Sequence, residues 1–253
     1  MKFFDCHVCY GFDKENRFPG FVPSLTDLLQ EMDRAGVEGA VVSRTEQLTT
    51  SPQLGNQLLA DDLYGQERFF GLWAIVPVHT GEISGPRQIL SEMKQSRIIG
   101  FQLCPAPLRF LPKVFALREW LDLAVAHRIP IFVNTEQGCS LEALADLLAW
   151  YPDLIIVLSY HDVWPSDRLL RPFISEFPFV HLDITNLFTA RSLESLTHLY
   201  GARRLLFGSG FPKAYFGSNM MMIRQADIAV EDKEAIASGN LLRLIEGIAY
   251  DQP

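Results

Sequence analysis

Short apolar runs alternate along the chain with longer stretches patterned at helical spacing. The runs are Lys2–Gly11, Val37–Val42, Phe69–Val76, Ile98–Leu103, Ile129–Val133, Leu154–Leu158, Phe179–Ile184 and Arg204–Gly208. Most are apolar on both faces, as in the strands of a parallel sheet covered by helices. Between them, Leu25, Leu28, Leu29 and Met32 make one helical stripe, opened by Pro23-Ser24 and stopped by Gly36. Leu54, Leu58, Leu59 and Leu63 make a second, and Val114–His127, Leu141–Trp150 and Leu169–Phe177 read as further helices. Cys104-Pro105-Ala106-Pro107-Leu108 is expected to be irregular because of its two prolines. Helices at Asn219–Ile228 and Glu231–Ile245 end the pattern. Strands nearly all separated by helices predict a (β/α)8 barrel, a TIM barrel, as one domain over residues 1–253. An open doubly wound sheet would want a Gly-rich phosphate loop after the first strand, and none follows.

Composition changes this picture little. The chain is 48% hydrophobic and 21% charged, with 22 basic against 30 acidic residues, which suits a soluble globular protein with a sizeable core. No basic cluster interrupts the acidic balance, so no nucleic-acid partner is expected. No run approaches the length of a membrane span and no leader pattern precedes the first strand, so the expected location is the cytoplasm. Cysteines at 6, 9, 104 and 139 have no disulfide-framework spacing. Cys6-x-x-Cys9 lies on a strand, not at the helix N-terminus that activates a redox thiol.

In such a barrel the chemistry gathers at the C-terminal ends of the strands. Those ends supply Asp5, His7 and Cys9; Arg44 and Glu46; His79; Gln102 and Cys104; Asn134 and Glu136; Tyr160, His161 and Asp162; Asp183 and Asn186; and Ser209 and Lys213. Strict alternation puts Asp5, His7 and Cys9 on one side of the first strand. Asp5, Asp183 and Glu136 are candidate bases, with His7 or His161 for proton transfer. Arg44 and Lys213 are candidate anchors for an anion, and Asn134 and Tyr160 are further candidate substrate contacts. His7, Cys9 and His161 have the atom types of zinc ligands.

Several segments resemble the amidohydrolase-related proteins of the amidohydrolase superfamily, in the branch that holds aminocarboxymuconate-semialdehyde decarboxylase and related hydro-lyases, decarboxylases and lactonases. They are Phe4-Asp5-Cys6-His7-Val8-Cys9, Glu67-Arg68-Phe69-Phe70-Gly71, Ile99-Gly100-Phe101-Gln102-Leu103, His127-Arg128-Ile129-Pro130-Ile131, Leu206-Phe207-Gly208-Ser209-Gly210-Phe211-Pro212 and Gly239-Asn240-Leu241. The resemblance implies the barrel, a small-molecule substrate and a divalent metal, often zinc. It also exposes departures. The second histidine of His-x-His is Cys9, the histidine ending strand five is Asn134, and the aspartate of Gly-Ser-Asp-x-Pro is Gly210. His161, or Tyr160 in its place, matches the histidine after strand six. The metal site is thus degenerate, and the sequence favours no bound zinc over a site of His7, Cys9 and His161.

Two functional readings follow. One is a hydrolase, or a decarboxylase-like lyase, acting on a small organic acid, lactone or ester without the usual metal site. The other is a catalytically inactive barrel that serves in binding or assembly. Large barrels of this kind often form homo-oligomers, and Phe216 or Met220–Met222 are the residues expected to offer the surface.

Overall fold

The structure is a computed structural model that describes residues 1–12, 22–159 and 167–251. Eight parallel strands follow one another round a single sheet in chain order. They are β1 (Phe4–Tyr10), β2 (Gly39–Arg44), β3 (Phe69–Ala74), β4 (Ile98–Leu103), β5 (Ile131–Asn134), β6 (Ile156–Ser159), β7 (Val180–Asp183) and β8 (Leu205–Leu206). The sheet curls until β1 meets the segment leaving β8. Cys6 N–H donates to Phe207 O, Gly210 N–H to His7 O and Cys9 N–H to Phe211 O, at 2.9, 3.0 and 2.9 Å. These bonds close a TIM barrel, and helices alternate with the strands outside it. They also account for the brevity of β8. The chain beyond Leu206 keeps bonding to β1, but with irregular geometry.

Local chemistry sets the helix ends. Ser24 caps the helix Leu25–Ala35 by accepting from Asp27 N, and Gly36 ends it at φ 76° in the left-handed region. Ser51 and Ser140 cap the helices Pro52–Leu63 and Leu141–Trp150 in the same way. Two readings of the sequence need correction. Pro105–Leu108 is a helical turn, not irregular, because prolines in the first turn forfeit only N–H groups that have no partner within the helix. Phe216 and Met220 are buried, Phe216 stacking on Phe211 at 4.7 Å, and of that group Met221 is exposed.

The N-terminal ends of several strands are held by arginines. Arg68 donates to Glu38 O and Val37 O, Arg97 to Phe69 O and Glu67 O, and Arg204 to Val180 O, Ile174 O and Phe177 O. Each guanidinium thus satisfies carbonyls beside the strand before its own. This end of the barrel is tied by charge-assisted bonds to backbone, and the titratable rim lies at the other end. No helix among the described residues is long and apolar enough to cross a membrane.

Candidate active site

The site grows from an irregularity in β1. Asp5 stands opposite Ala40 and Val8 opposite Val42, so three steps on β1 match two on β2. One extra residue interrupts the alternation expected for Asp5, His7 and Cys9. His7 and Cys9 line a cavity at the C-terminal end of the barrel. Asp5 does not. Its Oδ1 accepts from the backbone N–H of His7 at 2.8 Å and of Ser209 at 3.1 Å, joining β1 to the turn after β8. Its Oδ2 is buried and, among the described residues, has no hydrogen-bond partner. Burial raises the Asp5 carboxyl to about 7 against the lowering effect of the Ser209 side chain and of those two backbone donors, with the nearby Asp183 charge adding to the rise.

Asp183, at the end of β7, is equally buried and has the opposite fate. Its Oδ1 accepts from the hydroxyl and N–H of Thr185 at 2.5 and 2.8 Å, and its Oδ2 meets His7 Nδ1 at 2.7 Å. Burial pushes this carboxyl up, but the His7 ring and the Thr185 donors outweigh it and hold the pKa below the usual carboxylate range. An ionised carboxylate only accepts, so His7 carries its proton on Nδ1. A neutral His7 then has its lone pair on Nε2, at the opposite edge of the ring. Gly208 makes room for this arrangement, since a Cβ there would lie 2.1 Å from Asp183 Oδ1. Asn219 Nδ2 holds the Gly208 carbonyl at 2.6 Å.

Across the barrel, the polar groups are neutral amides. Asn56 pairs with the backbone of Ala74 through both ends of its amide, at 2.9 Å each. Gln47 donates to Asn56 Oδ1 and Leu72 O at 2.7 and 2.8 Å, and its Oε1 accepts from Arg44 N–H and Gln102 Nε2, both at 2.7 Å. Gln47 and Asn56 carry no sequence signal for this role, because each reads as an ordinary polar residue of a turn or helix. Thr185 was also missed, although Asp183-x-Thr185 is a spacing that suits a local side-chain bond.

The cavity itself holds about 270 Å³. Its walls are largely apolar, with Val41, Leu48, Leu72, Phe132 and Phe211, and Asn134, Gln102 and Lys213 also line it. Asn134 Oδ1 accepts from Glu136 N–H at 2.9 Å, so its Nδ2 hydrogens are on the other side of the amide. Lys213 pairs with Glu136 at 3.0 Å, both ends well exposed. Arg44 is not among the lining residues. Its guanidinium is bound by Glu46 at 2.9 Å and by Asp62, beside the Tyr10 ring. Tyr160 and His161 lie outside the described residues.

The metal that the resemblance implies can be tested against these donors. Among the described residues, no three His, Cys, Asp or Glu side chains form a metal-holding group. His7 keeps its Nε2 lone pair, a competent ligand, but burial raises the Cys9 thiol pKa, which opposes the thiolate a metal needs. Asn134 and Gly210 supply neither imidazole nor carboxylate. The described donor set does not fit zinc.

Fold and rim together define an amidohydrolase-type barrel. The model of the Amidohydrolase family matches residues 5–245, and the chain belongs to that family. Among solved structures it is similar to an uncharacterized TIM-barrel protein from Bordetella bronchiseptica, with TM-score 0.73, 19% identity and coverage of 98% of this chain and 99% of that one. It is also similar to 5-carboxyvanillate decarboxylase LigW from Sphingomonas paucimobilis, with TM-score 0.73, 14% identity and coverage of 97% and 99%. A third is a probable 2-pyrone-4,6-dicarboxylic acid hydrolase from Acinetobacter baumannii with citric acid bound, with TM-score 0.64, 14% identity and coverage of 97% and 100%. At these identities the likeness establishes the fold. No curated protein matches the chain significantly.

Proposed function

We propose that this chain is a hydrolase of small lactones or esters in which His7, as general base, activates the attacking water without a metal. The observation that carries this reading is the bond from His7 Nδ1 to a buried, ionised Asp183 at 2.7 Å. A carboxylate so placed fixes the tautomer of the ring and stabilises the imidazolium that forms during reaction. His7 Nε2 takes a proton from water as the water oxygen bonds to the substrate carbonyl carbon. The carbonyl oxygen gains negative charge, and Asn134 Nδ2, whose Oδ1 is committed to Glu136, donates to it. The intermediate then collapses, breaking the bond to the leaving oxygen, which receives the proton from the imidazolium. The product is a hydroxy acid or an acid and an alcohol. Cys9 is not the nucleophile in this scheme, since burial disfavours its thiolate. Asp5 holds β1 against the turn after β8. The likeness to a decarboxylase and to a probable lactone-ring hydrolase supports a small organic acid or lactone as the class of substrate.

The test is hydrolysis of a panel of aromatic and aliphatic δ-lactones by protein treated with chelator. Turnover that resists chelation and falls about a thousandfold or more in His7→Gln supports the assignment. Turnover that appears only in proportion to added zinc or manganese would overturn it. So would the absence of hydrolysis with and without metal, the outcome expected of a barrel that only binds.

A further inference from the structure

Gln102 stands on β4, three strands round the barrel from His7, and lines the same cavity while being 8% exposed. Its amide has a defined orientation, set from the backbone of β3. Ala74 N–H donates to Asn56 Oδ1 and Ala74 O accepts from Asn56 Nδ2, so Asn56 has one orientation. Asn56 Oδ1 accepts from Gln47 Nε2, and Leu72 O accepts from the same nitrogen. That turns Gln47 Oε1 to Arg44 N–H and Gln102. Gln102 can meet this oxygen only with its NH2, so its own Oε1 is directed away from Gln47. Among the described residues, the one donor to that oxygen is the Cys104 thiol at 3.8 Å, a weak and distant one. A nearly buried amide carbonyl with so poor a donor, in a largely apolar cavity wall, is a strong acceptor lacking an equal partner.

We propose that Gln102 is a specificity-determining residue whose Oε1 accepts a hydrogen bond from a hydroxyl or N–H group of the substrate, and that Gln47 and Asn56 are positioning residues that hold it as an acceptor. The inference rests on the cavity being the substrate site. It narrows the substrate to a lactone or ester carrying such a donor away from the scissile carbonyl. A site built around a fixed acceptor discriminates against a ligand that lacks the donor, because the acceptor then stays unpaired.

Binding of non-hydrolysable lactams to the full chain tests this independently of turnover. The probes are 1-methyl-3,4-dihydroquinolin-2-one, which has no N–H or O–H donor, and its singly hydroxylated ring isomers, titrated calorimetrically. At least one hydroxyl isomer is expected to bind about tenfold or more tightly than the parent. Gln102→Leu is expected to abolish that preference, bringing the hydroxyl isomer and the parent to within about twofold of each other. If Gln102→Leu does not fold, Gln102→Met makes the same comparison. No preference for any isomer, a preference that survives the substitution, or no binding of any isomer at millimolar concentration overturns the assignment. A hydroxyl preference without lactone hydrolysis would sink the catalytic reading and leave this one standing. Hydrolysis without the preference would do the reverse.

Discussion

The two polar sides of the barrel interior solve the problem of burial differently. On the side of β1, β7 and β8, two fully buried carboxyls sit near each other. One is raised to about 7 and the other is held below the ordinary range. Across from them, Gln47, Asn56 and Gln102 carry no charge, and their amides are ordered by a continuous run of bonds. Depth therefore does not decide protonation here. Among the described residues, Asp183 receives donors on both oxygens, whereas Asp5 receives backbone donors on one oxygen and has no hydrogen-bond partner on the other. In the function proposed above, the charged side moves a proton and the neutral side keeps a direction.

The sharpest break in that contrast is Asp183→Asn. The new amide keeps an oxygen for Thr185 but turns NH2 toward His7, forcing the ring proton to Nε2 and removing the base. Lactone turnover should fall about 10³–10⁴-fold, with the fold retained by circular dichroism. Unchanged turnover would make the charged side purely structural. Gly208→Ala comes next. Its methyl group occupies the space of Asp183 Oδ1, so denaturation should show a loss of about 3 kcal/mol together with reduced activity. A stable, fully active variant would mean that the carboxylate has room to move.

On the neutral side, Asn56→Leu strands the Ala74 N–H and the Gln47 amide. About 2 kcal/mol of stability should be lost without any change in the pH profile of turnover. A shifted profile would show that the two sides are coupled.

The smallest effects are slopes of stability against pH. The folded state holds a proton on Asp5 between pH 3.8 and about 7 that the unfolded chain has released, so this group makes stability fall as pH rises through that window. His181 acts oppositely. Burial first, then Arg204 and Arg243, lower its pKa from 6.5 to about 4, so its contribution is lost as pH falls through that range. Relative to wild type, Asp5→Asn should add a slope approaching about +1.4 kcal/mol per pH unit, and His181→Leu one of similar size and opposite sign. Urea titrations from pH 4.5 to 6.5 read both. Parallel curves for all three proteins would refute the assignment of either group.

Much of the scaffold was legible because apolar runs bounded by helices dictate parallel pairing. All eight strands fall inside or within two residues of their apolar runs. The first helical turn after β4 was hidden because proline was read as a breaker without regard to its position. His7 and Asp183 were both recognisable as rim residues. Their pairing was not, since the partners lie 176 residues apart and meet only through closure of the barrel. That the Asp5 carboxyl would be taken up by the backbone N–H groups of His7 and Ser209 was equally hidden, since Ser209 lies 204 residues away. Gln47 was invisible for a different reason. Its neighbours in sequence give no hint that its amide will be enclosed on all sides.

Gly208 also has a consequence at the level of the gene. Any missense change in its codon installs a Cβ, and that atom meets Asp183 whichever amino acid carries it. Random mutagenesis scored by activity should therefore recover position 208 alongside 7 and 183, although glycine contributes no functional group. A genetic map of the site would thus include a point where no functional group stands.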